Sequence, residues 1–523
     1  MAKNILVVFG ILMIAVFFRF FAITQIPPGL YPDEAINGNN ALMALRTGSF
    51  KVFYPENNGR EGLFINIQAI FLNLFKKNEP WVLRFPSALF GVFTVLGIYF
   101  LTKELFQNPK SFGNGKLKIG NYEVALLSSF LMATSFWHIN FSRIGFRAIM
   151  APFFLVWGIY FLLKTFRQIK EQKSSKFYIL NSIFAGIFYG LGFYSYIAYR
   201  ATPLLIFIIL FLYWLKNKEL QIRKKILISI FYFLFSTLIV AAPLGLYFLN
   251  HPYDFFGRTS QISIFNSPTP LKDLGLNILK TIGMFNVAGD SNWRHNYAAK
   301  PELFWPVGIL FVIGVILGIA KLLKLTKGGQ QFLDNDRKSA VILFAWLIIT
   351  GLPVVISNEG LPHALRAILM IPPVFIFAAV GGFWLYKFLK TKIQPLILKI
   401  FIIIFFIFLI FETYQNYFIA WAKNPNVYDA FNAPYVEIAE KINRLPKELP
   451  KYIVVEANGV LVPIKSAFYA DKGEMVNIPM PAQTIMFITD TFDFFKQKEK
   501  NVFYVLPEKI NLIPQNSFVV RLK

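Results

Sequence analysis

Four short stretches of this chain set acids and arginines where a hydroxyl and a phosphorylated ligand could meet them. Tyr31-Pro32-Asp33-Glu34 places two carboxylates behind a proline, and Asn58-Gly59-Arg60-Glu61-Gly62 joins an arginine to a third acid across a glycine turn. Ser142-Arg143-Ile144-Gly145-Phe146-Arg147 carries two arginines four residues apart, which share one face if the segment is helical. Arg200 follows Tyr194, Tyr196 and Tyr199. A positioned carboxylate serves as general base towards a hydroxyl. Guanidinium groups bind phosphate oxygens two at a time. Each stretch also has a bland explanation. Pro32, Asp33 and Glu34 suit a first helical turn, where the dipole favours acids. Arginines beside a bilayer snorkel to headgroups, and tyrosines gather in interfacial belts.

Weaker candidates come later in the chain. Arg258 follows His251-Pro252-Tyr253-Asp254, Asp290 precedes Arg294-His295-Asn296, and His363 and Arg366 share the piece PHALR. The four His are scattered without HExxH-type spacing, so no zinc motif is present and no metal ligand is assigned. A divalent ion shared by Asp33, Glu34, Glu61, Asp254 and phosphate oxygens stays open as an alternative to arginines. There is no P-loop and no Gly-rich dinucleotide turn. With no Cys, disulfides and thiolate zinc are excluded.

The elements that must position these residues are membrane helices. The chain has 523 residues, 56% hydrophobic and 18% aromatic, with 60 Phe. Several apolar runs approach the ~20 residues that cross a bilayer, and alternating barrel strands would not give such unbroken runs. The spacing predicts eleven spans, near 5–23, 86–105, 124–139, 148–163, 179–194, 203–214, 226–248, 304–319, 340–356, 367–386 and 396–411. The net charge of +25 is carried largely by lysine-rich loops such as Lys103/Lys110/Lys116/Lys118 and Lys321/Lys324/Lys327. All such loops fall on one side of this count, as the positive-inside rule requires. That reading puts the N-terminus in the cytoplasm and the acid and arginine stretches outside the cytoplasmic membrane. It also removes the case for nucleic acid.

Between the first two spans lie two helical pieces, 33–46 and 61–75, expected along the membrane surface. Residues 1–416 form the membrane domain in this reading. Residues 417–523 are less apolar and mix a helix-like piece with runs such as KYIVVEA and KNVFYVL, which predicts a small extracytoplasmic α/β domain. The expected fold class is an all-α polytopic membrane protein with that appendage.

YPDEA after the first span, NGREGLF opening the second surface helix, then WHINFSRIGFRAIMAP, YSYIAYRATP, HPYDFFGRTSQIS and LPHALRAILMIPP form an ordered series. It resembles the C-type membrane glycosyltransferases, and within them the protein O-mannosyltransferase and aminoarabinose transferase-like family, over about residues 1–390. The resemblance implies a polyprenyl-phosphate sugar as donor and a hydroxyl on protein, lipid or glycan as acceptor; no cofactor is assigned beyond the divalent ion left open above. It implies Asp33 as catalytic acid/base and Glu34 as its paired acid. Glu61 is added as a third catalytic candidate. Substrate contacts are expected from Arg60, Arg143, Arg147, Tyr196, Arg200, Arg258, Asp290, His363 and Arg366. Inversion follows if one carboxylate suffices, whereas a retaining route would need a second as nucleophile. A lipid-sugar flippase is the alternative, but it calls for mid-span charges and inverted repeats, and neither stands out. A receptor or scaffold would leave the charged loops unexplained.

Overall fold

The computed structural model describes residues 2–106, 121–323, 330–469 and 473–523. Lys110, Lys116, Lys118, Lys324 and Lys327, part of the lysine pattern, lie outside them. The chain opens with α1 (Ala2–Phe20) and α2 (Pro32–Thr47), then a short antiparallel hairpin of β1 (Phe53–Tyr54) and β2 (Arg60–Glu61), then α3 (Leu63–Phe75). The bundle continues with α4 (Pro80–Leu105), α5 (Asn121–Ala133), α6 (Phe136–Ser142), α7 (Met150–Lys170), α8 (Ser175–Gly192), α9 (Thr202–Lys216) and α10 (Leu220–Asn250). Next come α11 (Pro252–Gln261), α12 (Pro270–Gly283), α13 (Trp305–Leu322), α14 (Gln330–Val355), α15 (Ile371–Lys390) and α16 (Pro395–Tyr414).

A helix stands at every one of the eleven expected spans. Among the described residues, eight helices are long and apolar enough to cross a membrane, nine when the bent pair α5–α6 is taken as one span. The expected count is therefore higher than length and apolarity support. The described apolar part of α1, Ile5–Phe20, is short, and α8 is diluted by Ser175, Lys176, Asn181 and Ser182. Phe17 of α1 and Phe21 just after it pack on Tyr414 at the end of α16, so both helices finish at the same end of the bundle. That end carries the acids and arginines.

The 61° bend between α5 and α6 leaves carbonyls without intrahelical partners. In an apolar surround they need donors. Arg19, fully buried on α1, donates to the Met132 and Ala133 carbonyls and contacts His138 Nδ1 at 2.6 Å. Thr413 donates to the Thr134 carbonyl. The bend aims α6 and the segment after it across the end of the bundle.

Ten of the sixteen residues of α2 are buried, so it is not the membrane-surface helix expected from its mixed composition. Its polar residues find protein partners instead of headgroups. Asn39 donates to Gln483 Oε1 at 2.9 Å and Asn37 accepts from Arg60. By contrast α3 exposes Ile70 and Leu74 and buries Phe64, Ala69 and Leu72, as a surface-lying helix should.

Helical structure runs on from α16 through a π-helical turn, Gln415–Trp421, whose Tyr417, Phe418 and Trp421 belong to the membrane core. Beyond it come α17 (Pro425–Ala430), α18 (Ala433–Arg444), β3 (Lys451–Val455), β4 (Leu461–Ser466), β5 (Glu474–Pro479), α19 (Ala482–Thr489), α20 (Phe494–Lys500), β6 (Val502–Val505) and β7 (Phe518–Leu522). Parallel strands order as β6-β3-β7, and β4 pairs antiparallel with β5. This α/β unit sits on α2. Phe487 of α19 fills the space beside Gly38, and Thr484 donates to the Leu30 carbonyl at 2.9 Å.

Candidate functional site

Glu34 is the rivet of the site. It is 0% exposed. Arg84 of α4 reaches its two oxygens at 2.9 and 3.0 Å, and the Gly145 N–H donates to it at 2.6 Å. Its carboxylate also accepts from the Tyr31 N–H, closing the first turn of α2. Arg84 spends its remaining donors on the Pro27 and Gly29 carbonyls. One acid thus ties the first loop, α4 and the segment after α6 together. A Cβ at Gly145 would stand 3.0 Å from Glu34 Oε2, so glycine permits that approach.

Asp33 precedes this rivet and points elsewhere. It is half-buried and accepts a hydrogen bond from Asn57 Nδ2 at 2.8 Å. Asn57, Asn58 and Gly59 all have positive φ, a turn that suits Asn and Gly, and it brings the hairpin over the start of α2. Arg60, on β2, is buried and donates to Asn37 Oδ1 at 2.7 Å. Burial pushes its guanidinium down to about 10, Glu56 opposing the shift and Asp33 and Arg147 acting within electrostatic range, so it stays charged at neutral pH. On the other side of Asp33, Tyr31 is pushed up to about 12, by burial first and by Asp33 second. The Arg294 guanidinium lies 3.9 Å from the Tyr31 ring centroid, and its Nε has no hydrogen-bond partner.

Beside them, Arg147 Nε meets Glu61 Oε2 at 2.7 Å, and Arg200 Nη2 stands 3.6 Å from Glu61 Oε1. Arg200 is braced over the Phe255 ring at 4.3 Å and donates to the Phe255 carbonyl. Both guanidinium side chains keep about a fifth of their surface open, at 22% and 21%. Asp33, Arg60, Glu61, Arg147 and Arg200 are therefore brought to one end of the bundle from the first loop and two hairpin tips.

Other expected residues go elsewhere. The Ser142–Arg147 tip is not one helix: α6 ends at Ser142 and a 3-10 turn starts at Arg147. Arg143 consequently turns inward, fully buried, donating to the Phe18 and Ile26 carbonyls, and does not share a face with Arg147. Arg366 is spent on Ser357 and Glu359. Tyr196 packs against the main core. Arg258 lies on α11, and its side chain is outside the described residues. Asp33, Glu34, Glu61 and Asp254 do not gather as metal ligands among the described residues. Glu34 and Glu61 face arginines, and Asp254 accepts from Tyr247.

One group does gather. Asp290, His295 and His363 offer ligand atoms all within 4.8 Å of one another. Asp290 Oδ2 lies 3.0 Å from His295 Nδ1 and 3.8 Å from His363 Nδ1, and it accepts the Ala364 N–H. Two imidazoles and a carboxylate suit zinc and its neighbours. Arg84 was not among the sequence candidates, and Arg294 was named there only as a neighbour of Asp290 and His295. The signal for Arg84 was a charge at the start of an otherwise apolar span, and for Arg294 a cation beside a histidine in a long loop.

Acids and arginines thus gather at one end of a helical bundle, under a small α/β unit. Residues 63–247 match the family model described as dolichyl-phosphate-mannose-protein mannosyltransferase. That stretch holds Arg143, Arg147, Tyr196 and Arg200 and starts just after Glu61. No curated protein sequence matches the chain. Among solved structures, ArnT from Cupriavidus metallidurans in the apo state is similar at a TM-score of 0.53 and 12% identity, over 87% of this chain and 82% of that one. ArnT from the same organism bound to undecaprenyl phosphate is similar at 0.51 and 11%, over 99% and 89%. The archaeal oligosaccharyltransferase AglB from Archaeoglobus fulgidus, in complex with an inhibitory peptide and a dolichol-phosphate, is similar at 0.52 and 15%, over 86% of this chain. The chain spans 62% of the length of that AglB chain. The resemblance read from the motifs is thus borne out by the family match and by the shared fold.

Proposed function

We propose that this protein is a membrane glycosyltransferase that moves a sugar from a polyprenyl-phosphate donor to a hydroxyl acceptor at the outer face of the cytoplasmic membrane, with inversion. The observation that carries the reading is the convergence of Arg147 and Arg200 on Glu61 beside the helix start that bears Asp33. ArnT with undecaprenyl phosphate and AglB with a dolichol-phosphate share the fold and support a lipid-phosphate donor.

In this mechanism the acceptor oxygen attacks the anomeric carbon as the bond from that carbon to the phosphate oxygen breaks. The acceptor proton passes to the Asp33 carboxylate. The electron pair stays on the lipid phosphate, where Arg147 and Arg200 offset the charge. Glu61 is assigned to hold the two guanidinium groups side by side by offsetting their mutual repulsion, and Glu34 to hold the first loop in place. Neither is the nucleophile of a retaining route, so the anomeric configuration inverts. Incubating the purified chain with a labelled polyprenyl-phosphate sugar and envelope acceptors, then reading the product's anomeric configuration by NMR, tests this. A retained configuration, or no turnover with any lipid-phosphate sugar, rejects it.

Arg147→Ala is expected to lower transfer by a factor of about 100–1,000, the usual cost of losing one preorganised partner of a developing charge. Arg147→Lys should recover only part, because a point charge lacks the planar fork. Equal activity of Arg147→Ala and wild type would remove the phosphate role.

Asp290, His295 and His363 are assigned as a zinc-type site that ties the two loops flanking α13 and α14 together. Dialysis against a strong chelator is expected to remove about one metal per chain, measured by mass spectrometry of the metal, and His295→Ala to retain none. Metal-free wild type at full stability would leave the cluster as a hydrogen-bonded clip.

A further inference from the structure

Helix α12 is built inside out. Its polar residues face the protein: Asn277 and Thr281 are buried, and Asn277 Nδ2 donates to the Val355 and Ser357 carbonyls at 3.0 and 3.1 Å. Its apolar residues face away: Leu271, Leu279 and Ile282 are 83%, 67% and 67% exposed, and Ile278 is exposed beside them. A helix on the surface of a water-soluble protein has the opposite arrangement. Phe265, just before the helix, and Val287, just after it, are exposed as well.

The level of α12 is set by α14. Val355 is the last residue of α14, whose Arg337–Val355 part is long and apolar enough to cross a membrane, so Asn277 supplies donors to carbonyls at a span end. The backbone before α12 is laced to the same end: the Ile264 N–H donates to the Ile356 carbonyl and the Asn358 N–H to the Ile262 carbonyl. Ile348, Leu352 and Ile356, spaced four apart, make an exposed apolar stripe that runs up α14 to this point. It is the site end of the bundle, because the preceding α11 carries Phe255, the brace of Arg200. The 14 residues of α12 make a rod about 21 Å long, too short to cross a hydrocarbon core of about 30 Å. A helix of that length, pinned at a span end, lies along the membrane boundary. Lys272 and Lys280 stand between its apolar stripe and its buried face. Both are exposed, with no ion-pair or hydrogen-bond partner among the described residues.

We propose that α12 is a membrane-docking helix. Leu271, Ile278, Leu279 and Ile282 enter the lipid leaflet at the site end of the bundle, and Lys272 and Lys280 reach its anionic headgroups while their stems lie along the apolar face. The partner is lipid because the exposed face abuts the apolar stripe of a membrane span, at the level where that span ends. The helix thereby holds at the membrane the segment that runs from Phe255 to Asp290. The docking stands apart from the transfer reading, because no residue assigned to catalysis lies in it.

The chain has no Cys, so a single introduced cysteine reports on its own position in the full-length protein. Leu279→Cys, Ile282→Cys and Lys272→Cys are each labelled with a nitroxide and reconstituted in nanodiscs of phosphatidylcholine with phosphatidylglycerol. Depth is read by electron paramagnetic resonance, from collisions with oxygen and with a water-soluble nickel chelate. The Leu279→Cys and Ile282→Cys labels are expected about 5–10 Å below the headgroups, and the Lys272→Cys label at their level. All three positions are exposed, and either apolar position serves if the other variant does not fold. Free collision of the two apolar-face labels with the nickel chelate overturns the proposal. So does shielding from both reagents, the mark of a protein cover, or spin–spin broadening, the mark of a second copy. The double change Lys272→Gln with Lys280→Gln should bring the Ile282→Cys label to the shallower depth it takes in discs of phosphatidylcholine alone. Equal depth in the two lipid mixtures with both lysines present overturns the headgroup contact.

Discussion

Asp33→Asn is expected to abolish sugar transfer and to leave the folded protein as it was. The expected loss is about 100- to 10,000-fold, the range a positioned general base supplies. The replacement keeps the shape of the side chain and an oxygen for the Asn57 amide, but it cannot accept the acceptor's proton. Because Asp33 is half-buried and sits outside the Glu34–Arg84 pair, little stability depends on its charge. Substitutions at such positions usually change stability by within about 0.5 kcal/mol. The measurement is transfer from a polyprenyl-phosphate sugar alongside thermal unfolding in the same detergent. Near-normal turnover in a folded Asp33→Asn protein would end the assignment of the base.

Its neighbour behaves in the opposite way. Glu34→Gln is expected to destabilise the protein by about 3–5 kcal/mol, the cost of breaking a buried ion pair from one side. Arg84 would keep its charge at 1% exposure with only carbonyls around it, and the Gly145 N–H could face an amide nitrogen in place of an oxygen. The first loop, α4 and the segment after α6 would loosen together, so proteolysis between α1 and α2 should accelerate. The pair Glu34→Leu with Arg84→Met removes both charges and should regain part of the loss, as replaced buried pairs commonly do. A Glu34→Gln protein that melts like wild type yet fails to transfer sugar would return Glu34 to the chemistry. Two adjacent acids thus separate by environment: one clamps, the other is available.

Much of the scaffold was legible in the chain. Runs of apolar residues locate helices at all eleven expected spans, because crossing a hydrocarbon layer leaves few alternatives to a helix. The proline and acids at Pro32–Glu34 mark a helix start, since orphan N–H groups and the dipole favour them there. The mixed helices and strands of the tail follow from its weaker and alternating hydrophobicity. What escaped was whichever feature depends on a partner far along the chain. The asparagines of α2 read as a membrane-surface pattern because Gln483 and Arg60, which satisfy them, lie in other segments.

Residue type and order, then, determine that this is a helical membrane protein with acids and arginines near the ends of its spans, and the resemblance of its motifs points to Asp33. Which of those charges face one another is decided only by the tertiary structure. Arg143 and Arg147 look alike in sequence, but the chain leaves the helix between them, burying one beneath α1 and presenting the other to Glu61. His295 and His363 show no motif spacing, yet two loops fold onto Asp290 and bring them together. Local propensity acts over a few residues, whereas a buried charge is placed by whichever distant group compensates its desolvation.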